Sequence, residues 1–188
     1  MPDEQMWRGF FEPAAILSEL GFADAAGDVA DFGCGYGTFA VAAAARTTGI
    51  VHAFDVDPEM LAATARKAEE LRLSNVRPVQ RDFVESGVGL PDASVGYAML
   101  FNILHAERPL PLIREALRVL VPGGALAIAH WIHDASTPRG PALSIRPRPE
   151  QCQQWLVEAG FEVIKPFVPL PPYHYGLVGH RPRHPGPW

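Results

Sequence analysis

The chain has 188 residues, of which 48% are hydrophobic and 20% are charged, and its formal net charge at pH 7 is −5. This length and composition predict one domain with a sizeable core, and the acidic balance without a basic run excludes an ordinary nucleic-acid-binding protein. Two cysteines, Cys34 and Cys152, are too few for a disulfide framework.

The sequence predicts a cytoplasmic protein without membrane partners. Its first residues, MPDEQMWRGF, carry acids where a secretory signal needs basic residues followed by an apolar run. No apolar stretch approaches the length that spans a bilayer. The oligomeric state is not readable from the sequence.

Predicted strands and helices alternate along the first part of the chain. DVADFG is typical of a strand that ends at a glycine turn, and TFAVAAAART of a helix that can pack closely. The second strand, GIVHAFDVD, leads to Asp57 and Pro58, which suit the N-cap and first position of a helix. The apolar residues of EMLAATARKAEELRL recur with a helical period. NVRPVQRDF predicts a third strand, and the nearly apolar SVGYAMLFNIL predicts a fourth strand that is buried on both faces.

The second part of the chain continues the alternation and then changes. LPLIREALRVL predicts a helix that PGG stops, and GALAIAHWI predicts a fifth strand. A last helix, PEQCQQWLVEAGF, precedes two strands, EVIKPFV and YHYGLVGHR, with no room for a helix between them. The sequence therefore predicts an α/β fold with a doubly wound, mostly parallel sheet whose last strand runs antiparallel.

A glycine-rich turn, DFGCGYGTFA at residues 31–40, lies between the first strand and its helix. Glycines at 33, 35 and 37 let the backbone approach a nucleotide-like ligand, but Thr38 stands where the dinucleotide pattern has its third glycine. Acids that precede the turn or end neighbouring strands would each oppose a pyrophosphate by about 1 kcal/mol. These acids are Asp31, Asp55, Asp57 and Asp82.

A ligand that carries positive charge and no phosphate suits a binding site surrounded by these acids. S-adenosylmethionine has a sulfonium and an ammonium, and we predict it as the cofactor. Asp55 lies about 20 residues beyond the turn, where an acid accepts hydrogen bonds from ribose hydroxyls.

The chain resembles the class I S-adenosylmethionine-dependent methyltransferases, and most of all their ubiquinone/menaquinone (methyltransferase type 11) branch. The matching motifs are VADFGCGYGTF, VHAFDVDPEML, VQRDFVE, LPDASVGYAMLFNILH and ALRVLVPGGALAIAHW, which together span residues 29–131. The resemblance implies a Rossmann-like sheet of seven strands. We expect a single methyltransferase domain over residues 1–188, with a helical cap at 1–26, a cofactor-binding core at 27–131 and a substrate-side segment with the last strands at 132–188.

The resemblance also implies roles for individual residues. Asp31 would position the methionine ammonium, the backbone of Gly33, Cys34, Gly35 and Gly37 would lie against the methionine and ribose, and Asp55 would bind the ribose. The residues implied near the adenine are Val56, Met60, Asp82 and Phe83, and Asn102 would face the methionine part. Arg81 departs from the family pattern, which often has a small residue before that aspartate.

Two histidines are candidate catalytic bases. His105 follows the fourth strand beside the expected sulfonium, and His133 follows the fifth. Either neutral imidazole could take a proton from the methyl acceptor. The alternative for His105 is a loop histidine that caps the next helix. Cys34 is predicted to fill space rather than to act as a nucleophile.

Other residues leave open interpretations. Trp7, Phe10 and Phe11 could close over the cofactor or anchor a terminal helix, and Arg139, Arg146 and Arg148 could contact an acidic acceptor or be solvated. HWIH at 130–133 is weak support for a metal, and none is predicted. PPY at 171–173 is predicted to be a loop, because Leu170 replaces the Asp or Asn of the DNA methyltransferase motif.

These observations predict methyl transfer to a small molecule, without nucleic-acid or membrane partners. A non-catalytic module that binds S-adenosylmethionine and a nicotinamide-dependent oxidoreductase are the alternatives.

Overall fold

A computed structural model describes residues 12–23 and 27–184 of the chain. The predicted aromatic lid or anchor of Trp7, Phe10 and Phe11 lies outside the described residues. The helices are α1 (Pro13–Glu19), α2 (Thr38–Ala44), α3 (Pro58–Glu70), α4 (Phe83–Ser86), α5 (Pro109–Val119) and α6 (Pro149–Ala159). The strands are β1 (Val29–Phe32), β2 (Val51–Asp55), β3 (Val76–Gln80), β4 (Val95–Phe101), β5 (Leu120–Trp131), β6 (Glu162–Leu170) and β7 (His174–His180).

The seven strands form one sheet in the order β3-β2-β1-β4-β5-β7-β6. The first five strands pair in parallel, whereas β7 runs antiparallel to both of its neighbours, β5 and β6. This confirms the predicted fold: a Rossmann-like, doubly wound seven-stranded sheet whose last strand is antiparallel.

Each face of the sheet carries its own hydrophobic core. Side chains of α1 and α2, such as Leu17 and Phe39, pack on one face. Side chains of α5 and α6, such as Ile113 and Leu156, pack on the other. Because strand residues alternate between faces, Ala127 belongs to the first core and Ile128 to the second.

Helix boundaries follow the predicted capping signals at α3 but not at α5. Asp57 is the N-cap of α3, and its Oδ1 accepts a hydrogen bond from the Glu59 amide at 2.9 Å. The glycine pair after α5 does not stop that helix. Instead, α5 ends at Val119 and β5 begins at Leu120, so PGG lies inside the strand.

The structure has an additional short helix, α4, that the sequence patterns did not predict. Asp82 caps this helix, and its Oδ1 accepts hydrogen bonds from the amides of Val84 and Glu85. The PPY segment is a turn between β6 and β7, as predicted. Across residues 12–23 and 27–184, none of the helices has the length and apolar character that crossing a membrane requires.

Candidate functional site

The glycine turn between β1 and α2 is fixed by the ends of neighbouring elements. The amide of Gly35 donates to Oδ2 of Asp55 at 2.9 Å, and the carbonyl of Gly35 accepts from the Thr64 hydroxyl of α3 at 2.9 Å. Oδ1 of Asp55 accepts from the Asp57 amide at 3.0 Å. Asp55 therefore holds the backbone of the glycine turn in place. It lies at the end of β2, where the sequence predicts an acid that binds the ribose.

Gly37 is required at its position for two reasons. Its φ is +72°, which L side chains rarely adopt. A Cβ there would lie 2.7 Å from Oγ1 and 3.0 Å from Cα of Thr64. Thr64 is fully buried and lies on a helix separate in sequence from the turn, so no sequence signal pointed to it.

A cavity of about 480 Å³ opens between the glycine turn and the carboxyl ends of β4 and β5. Its wall combines polar groups of the turn with aromatic rings. The lining residues are Asp31, Gly33, Cys34, Gly35, Thr38, Phe39, Phe101, Asn102, Ile103, His105, Trp131, Arg139, Gly140 and Pro141. The structure therefore brings together four of the predicted site residues around the turn, Asp31, Gly33, Cys34 and Gly35, with His105 and Asn102.

Three side chains of this wall have a buried oxygen without a hydrogen-bond partner among the described residues. These atoms are Oδ2 of Asp31, Oγ1 of Thr38 and Oδ1 of Asn102. Native proteins leave few buried polar atoms unpaired, so three such atoms around one cavity indicate a polar ligand. In the sequence, Thr38 is notable only because it replaces the third glycine of the dinucleotide pattern. The structure adds Thr38 to the wall of the cavity.

Asp31 is the electrostatic centre of the cavity. It is 3% exposed, and burial, followed by the charge of Asp55, raises its pKa to about 7. A cation beside Oδ2 would stabilise the carboxylate and offset that burial. The site therefore favours a positively charged group, which is the property that the acidic residues of the sequence predicted.

Asn102 has an unusual backbone conformation at the end of β4. Its φ is +55°, in the left-handed region, where asparagine is tolerated better than most residues. Its amide donates to the Ala129 carbonyl of β5 at 2.7 Å. This conformation holds the Asn102 side chain in the cavity wall.

The residues predicted to surround the adenine lie beside this cavity rather than in its wall. Val56, after β2, is 55% exposed, whereas Met60 and Phe83 are buried. The Arg81 guanidinium donates to the carbonyls of Ser86 and Gly87. One oxygen of Asp82 caps α4, which leaves the other for a ligand.

His105 faces the cavity and does not cap a helix. The N-cap of α5 is Arg108, and no side chain forms a capping hydrogen bond there. Nδ1 of His105 is buried without a partner among the described residues. Burial lowers the pKa of His105, so its imidazole is neutral at neutral pH and can accept a proton.

His133 is not in the wall of this cavity. Its Nδ1 lies 3.0 Å from the Arg146 carbonyl oxygen, and the side chain lines a second cavity, of about 440 Å³, with Arg148 and Trp155. The chain turns away from the sheet edge after Trp131, so the geometry gives no support to His133 as a second candidate base. Within the part of the chain that the structure describes, no group of three or more His, Cys, Asp or Glu residues could hold a metal ion.

Arg146 is neither a solvated charge nor a group exposed to an acceptor, and both sequence interpretations of it are wrong. It is 6% exposed, and its guanidinium donates to the carbonyls of Ile132 and Pro141 at 2.8 and 2.7 Å and to the Thr137 hydroxyl at 2.8 Å. These bonds hold the segment 132–147 in place, and residues 139–141 of that segment form part of the cavity wall.

Cys34 fills space, as predicted. Its Sγ lies 3.7 Å from the Thr64 hydroxyl. Burial, followed by the charge of Asp31, raises the pKa of its thiol far above the usual range, so the nucleophilic thiolate does not form at neutral pH.

Comparison with known proteins identifies the family. The methyltransferase domain family matches residues 29–124, slightly more than half of the chain. The chain belongs to this family.

Solved structures agree with this assignment. The methyltransferase domain is similar to a SAM-dependent methyltransferase from Aquifex aeolicus, with 27% identity and a TM-score of 0.80, over 91% of this chain and 90% of that one. It also shares its fold with the cyclase SpnF, at 21% identity and a TM-score of 0.77, over 90% of this chain and 79% of that one. The Aquifex aeolicus match and the family identify an S-adenosylmethionine-dependent methyltransferase domain with S-adenosylmethionine as its cofactor, and neither supports the two alternative functions.

A curated relative corrects the prediction about the methyl acceptor. The methyltransferase domain is 40% identical, over 118 residues, to the ribosomal protein L11 methyltransferase of Methylococcus capsulatus. The match covers 62% of this chain and 38% of that relative's length. Because the acceptor in the relative's name is a protein, the prediction of a small-molecule acceptor is wrong.

Proposed function

We propose that this methyltransferase domain transfers the methyl group of S-adenosylmethionine to a side chain of a protein. The observation that carries the cofactor half of this proposal is the cluster of unpaired buried oxygens on Asp31, Thr38 and Asn102 around one cavity. The acceptor half is supported by the 40% identity to a ribosomal protein L11 methyltransferase. The matched region is 38% of that relative, so the acceptor is inferred from a shared domain.

The charged end of the cofactor would be held by the wall of the cavity. Oδ2 of Asp31 would accept from the methionine ammonium, the Thr38 hydroxyl would donate to the carboxylate, and Oδ1 of Asn102 would accept a further hydrogen bond. Asp55 would accept from the ribose hydroxyls while it continues to hold the Gly35 amide. The adenine would lie among Val56, Met60, Phe83 and the free oxygen of Asp82.

When bound, S-adenosylmethionine supplies a methyl group activated by its sulfonium. The rings of Phe39, Phe101 and Trp131 would exclude water from the reacting atoms. The protein's main contribution would be to hold the acceptor atom about 3–3.5 Å from the methyl carbon and in line with the breaking bond. His105 would take the proton that the acceptor loses.

The experiment is methylation of ribosomal protein L11 and of a total ribosomal protein extract with methyl-labelled S-adenosylmethionine. We expect label in a protein band. His105→Ala should lower kcat by roughly 10²–10⁴, the usual effect of losing a general base, with little change in cofactor affinity. Asp55→Ala should weaken cofactor binding by about 1–3 kcal/mol. Label that appears only in the small-molecule fraction would contradict the protein acceptor.

Three further predictions stay open. Membership of the ubiquinone/menaquinone branch rests on the motifs of residues 29–131, and a cytoplasmic location rests on the sequence. The division of the chain at residues 26 and 131 rests on the same sequence motifs.

A further inference from the structure

His130, near the end of β5, is an imidazole without an explanation in the site described so far. It is 0% exposed, and both of its ring nitrogens lack a hydrogen-bond partner among the described residues. A neutral imidazole has one N–H donor and one lone-pair acceptor. Leaving both unpaired in the interior costs free energy that a partner would recover.

The partner in reach is His105, in the wall of the cavity. The two ring centroids are 5.8 Å apart and the ring planes are inclined by 70°. Nδ1 of His105 is itself buried and unpaired. At this separation the ring edges can be joined by a small rotation or by one bridging water.

Other side chains near His130 already form hydrogen bonds with other groups or pack against other rings. The Tyr175 ring of β7 lies 6.4 Å away, but its hydroxyl donates to the Pro147 carbonyl at 2.9 Å. The Arg146 guanidinium donates to the loop it holds. His174 of β7 packs its ring against Trp131, with 4.2 Å between centroids. His105 is thus a neighbour whose unpaired Nδ1 can pair with one ring nitrogen of His130.

We propose that His130 is a positioning residue that accepts a hydrogen bond from the Nδ1–H of His105, directly or through one water, and so leaves Nε2 of His105 unprotonated toward the cavity. This inference rests on the proposed function, since it takes His105 as the base. In the transfer step the acceptor would form its bond to the methyl carbon as the carbon–sulfur bond breaks, and the electron pair of that bond would stay on the sulfur of the S-adenosylhomocysteine product. The acceptor's proton would move to Nε2 of His105, which would become imidazolium.

The charge state of His130 is compatible with this role. Burial, followed by the charges of His105 and Arg146, lowers its pKa to about 3. It therefore keeps a lone pair at neutral pH. A second histidine that fixes the tautomer of the first serves as the orienting group that general bases commonly use.

The test is long-range nitrogen–proton NMR of the full chain labelled with ¹⁵N-histidine, recorded at neutral pH without cofactor. In the wild type we expect His105 to carry its proton on Nδ1. A wild-type His105 with its proton on Nε2 overturns the proposal before any variant is made. This measurement needs neither a ligand nor a methyl acceptor. The proposed function is tested separately, by S-adenosylhomocysteine binding and by protein methylation, so the two proposals can fail independently.

Two variants separate positioning from packing. His130→Phe keeps a ring but removes the acceptor, and we expect His105 to lose its preference for the Nδ1–H form. His130→Asn keeps an acceptor oxygen and should restore that preference. An unchanged His105 tautomer in His130→Phe overturns the proposal. Should His130→Phe fail to fold, the wild-type and His130→Asn spectra decide, because both must show the Nδ1–H form.

Discussion

At the scale of single residues, we expect Asp31 to make cofactor affinity depend on pH. Its pKa in the free protein is raised to about 7, and a bound ammonium or sulfonium favours the carboxylate. Affinity for S-adenosylhomocysteine should therefore rise as the pH increases from 5.5 to about 7 and then level off. Binding below pH 7 should release a proton, which titration calorimetry in buffers of different ionisation enthalpy measures. Asp57→Asn, on an exposed helix cap, should keep the wild-type profile, whereas a flat wild-type profile would contradict this role of Asp31.

The same carboxylate should destabilise the free protein at alkaline pH. A folded-state pKa raised from 3.8 to about 7 means that the contribution of Asp31 is fully favourable below about pH 4 and is lost as the pH rises through 7. Asp31→Asn should therefore increase the free energy of unfolding at pH 8, by about 2–4 kcal/mol, while it weakens cofactor binding. Denaturant titration at pH 5 and pH 8 measures this difference, and equal effects at the two pH values would refute it.

Gly37 provides a residue-scale test of the close contact with α3. Gly37→Ala combines a left-handed φ with a Cβ 2.7 Å from Thr64 Oγ1, so we expect a loss of about 2–4 kcal/mol in stability and weaker cofactor binding. Gly21→Ala is the matched control: its φ is +76° and nothing lies within 4 Å of its Cβ. It should lose only the backbone contribution, about 1 kcal/mol. Thermal unfolding and calorimetry compare the two, and equal losses would show that the Thr64 contact is unimportant.

Residues next to the glycine motif were predictable, and those that act across the fold were not. Asp31 and Asp55 end strands, and the carboxyl ends of parallel strands meet at one edge, so the sequence placed both at the site. Thr64 reaches the turn only because α3 packs against it, and His133 misses the cavity only because the chain turns after β5. Neither tertiary relation leaves a periodic signal in the sequence.

At the scale of elements, the segment 132–147 depends on one buried cation. Arg146→Met should leave the carbonyls of Ile132 and Pro141 without their donor, at a cost of about 2–3 kcal/mol in stability. We expect amides between residues 134 and 145 to exchange hydrogen faster, with little change in β4 or β5. Arg114→Met, which removes an exposed guanidinium 3.9 Å from Glu158, is the control. Unchanged hydrogen exchange in this segment would show that Arg146 does not hold it in place.

The start of β5 shows why element boundaries were harder to predict than element types. A proline followed by two glycines commonly ends a helix, and the sequence predicts that β5 starts at the second of these glycines, Gly124. In the structure, the strand begins at Leu120, opposite Val95 of β4, and the register shifts between Val95 and Tyr97. Pairing with β4 thus extends the strand through residues whose local preferences oppose it.

At the scale of the whole molecule, ligand binding should stabilise the fold by an amount that grows with the logarithm of ligand concentration. S-adenosylhomocysteine at 100 times its Kd should add about 2.7 kcal/mol, which corresponds to a rise in Tm of roughly 5–10 °C for a chain of this size. NAD should produce no shift in Tm, because the acids around the glycine turn repel its pyrophosphate. A thermal-shift assay with both ligands in parallel measures this, and equal shifts would contradict the cofactor assignment.

The position of β7 within the sheet has a consequence for the synthesis of the protein on the ribosome. β7 is the last described strand in the chain, yet it lies between β5 and β6. Until residues 174–180 have left the exit tunnel, β5 has a bare edge of unpaired amides and carbonyls. Such an edge can recruit strands of other chains, so a nascent chain that stalls before β7 is the form of this protein most exposed to aggregation and most in need of a chaperone.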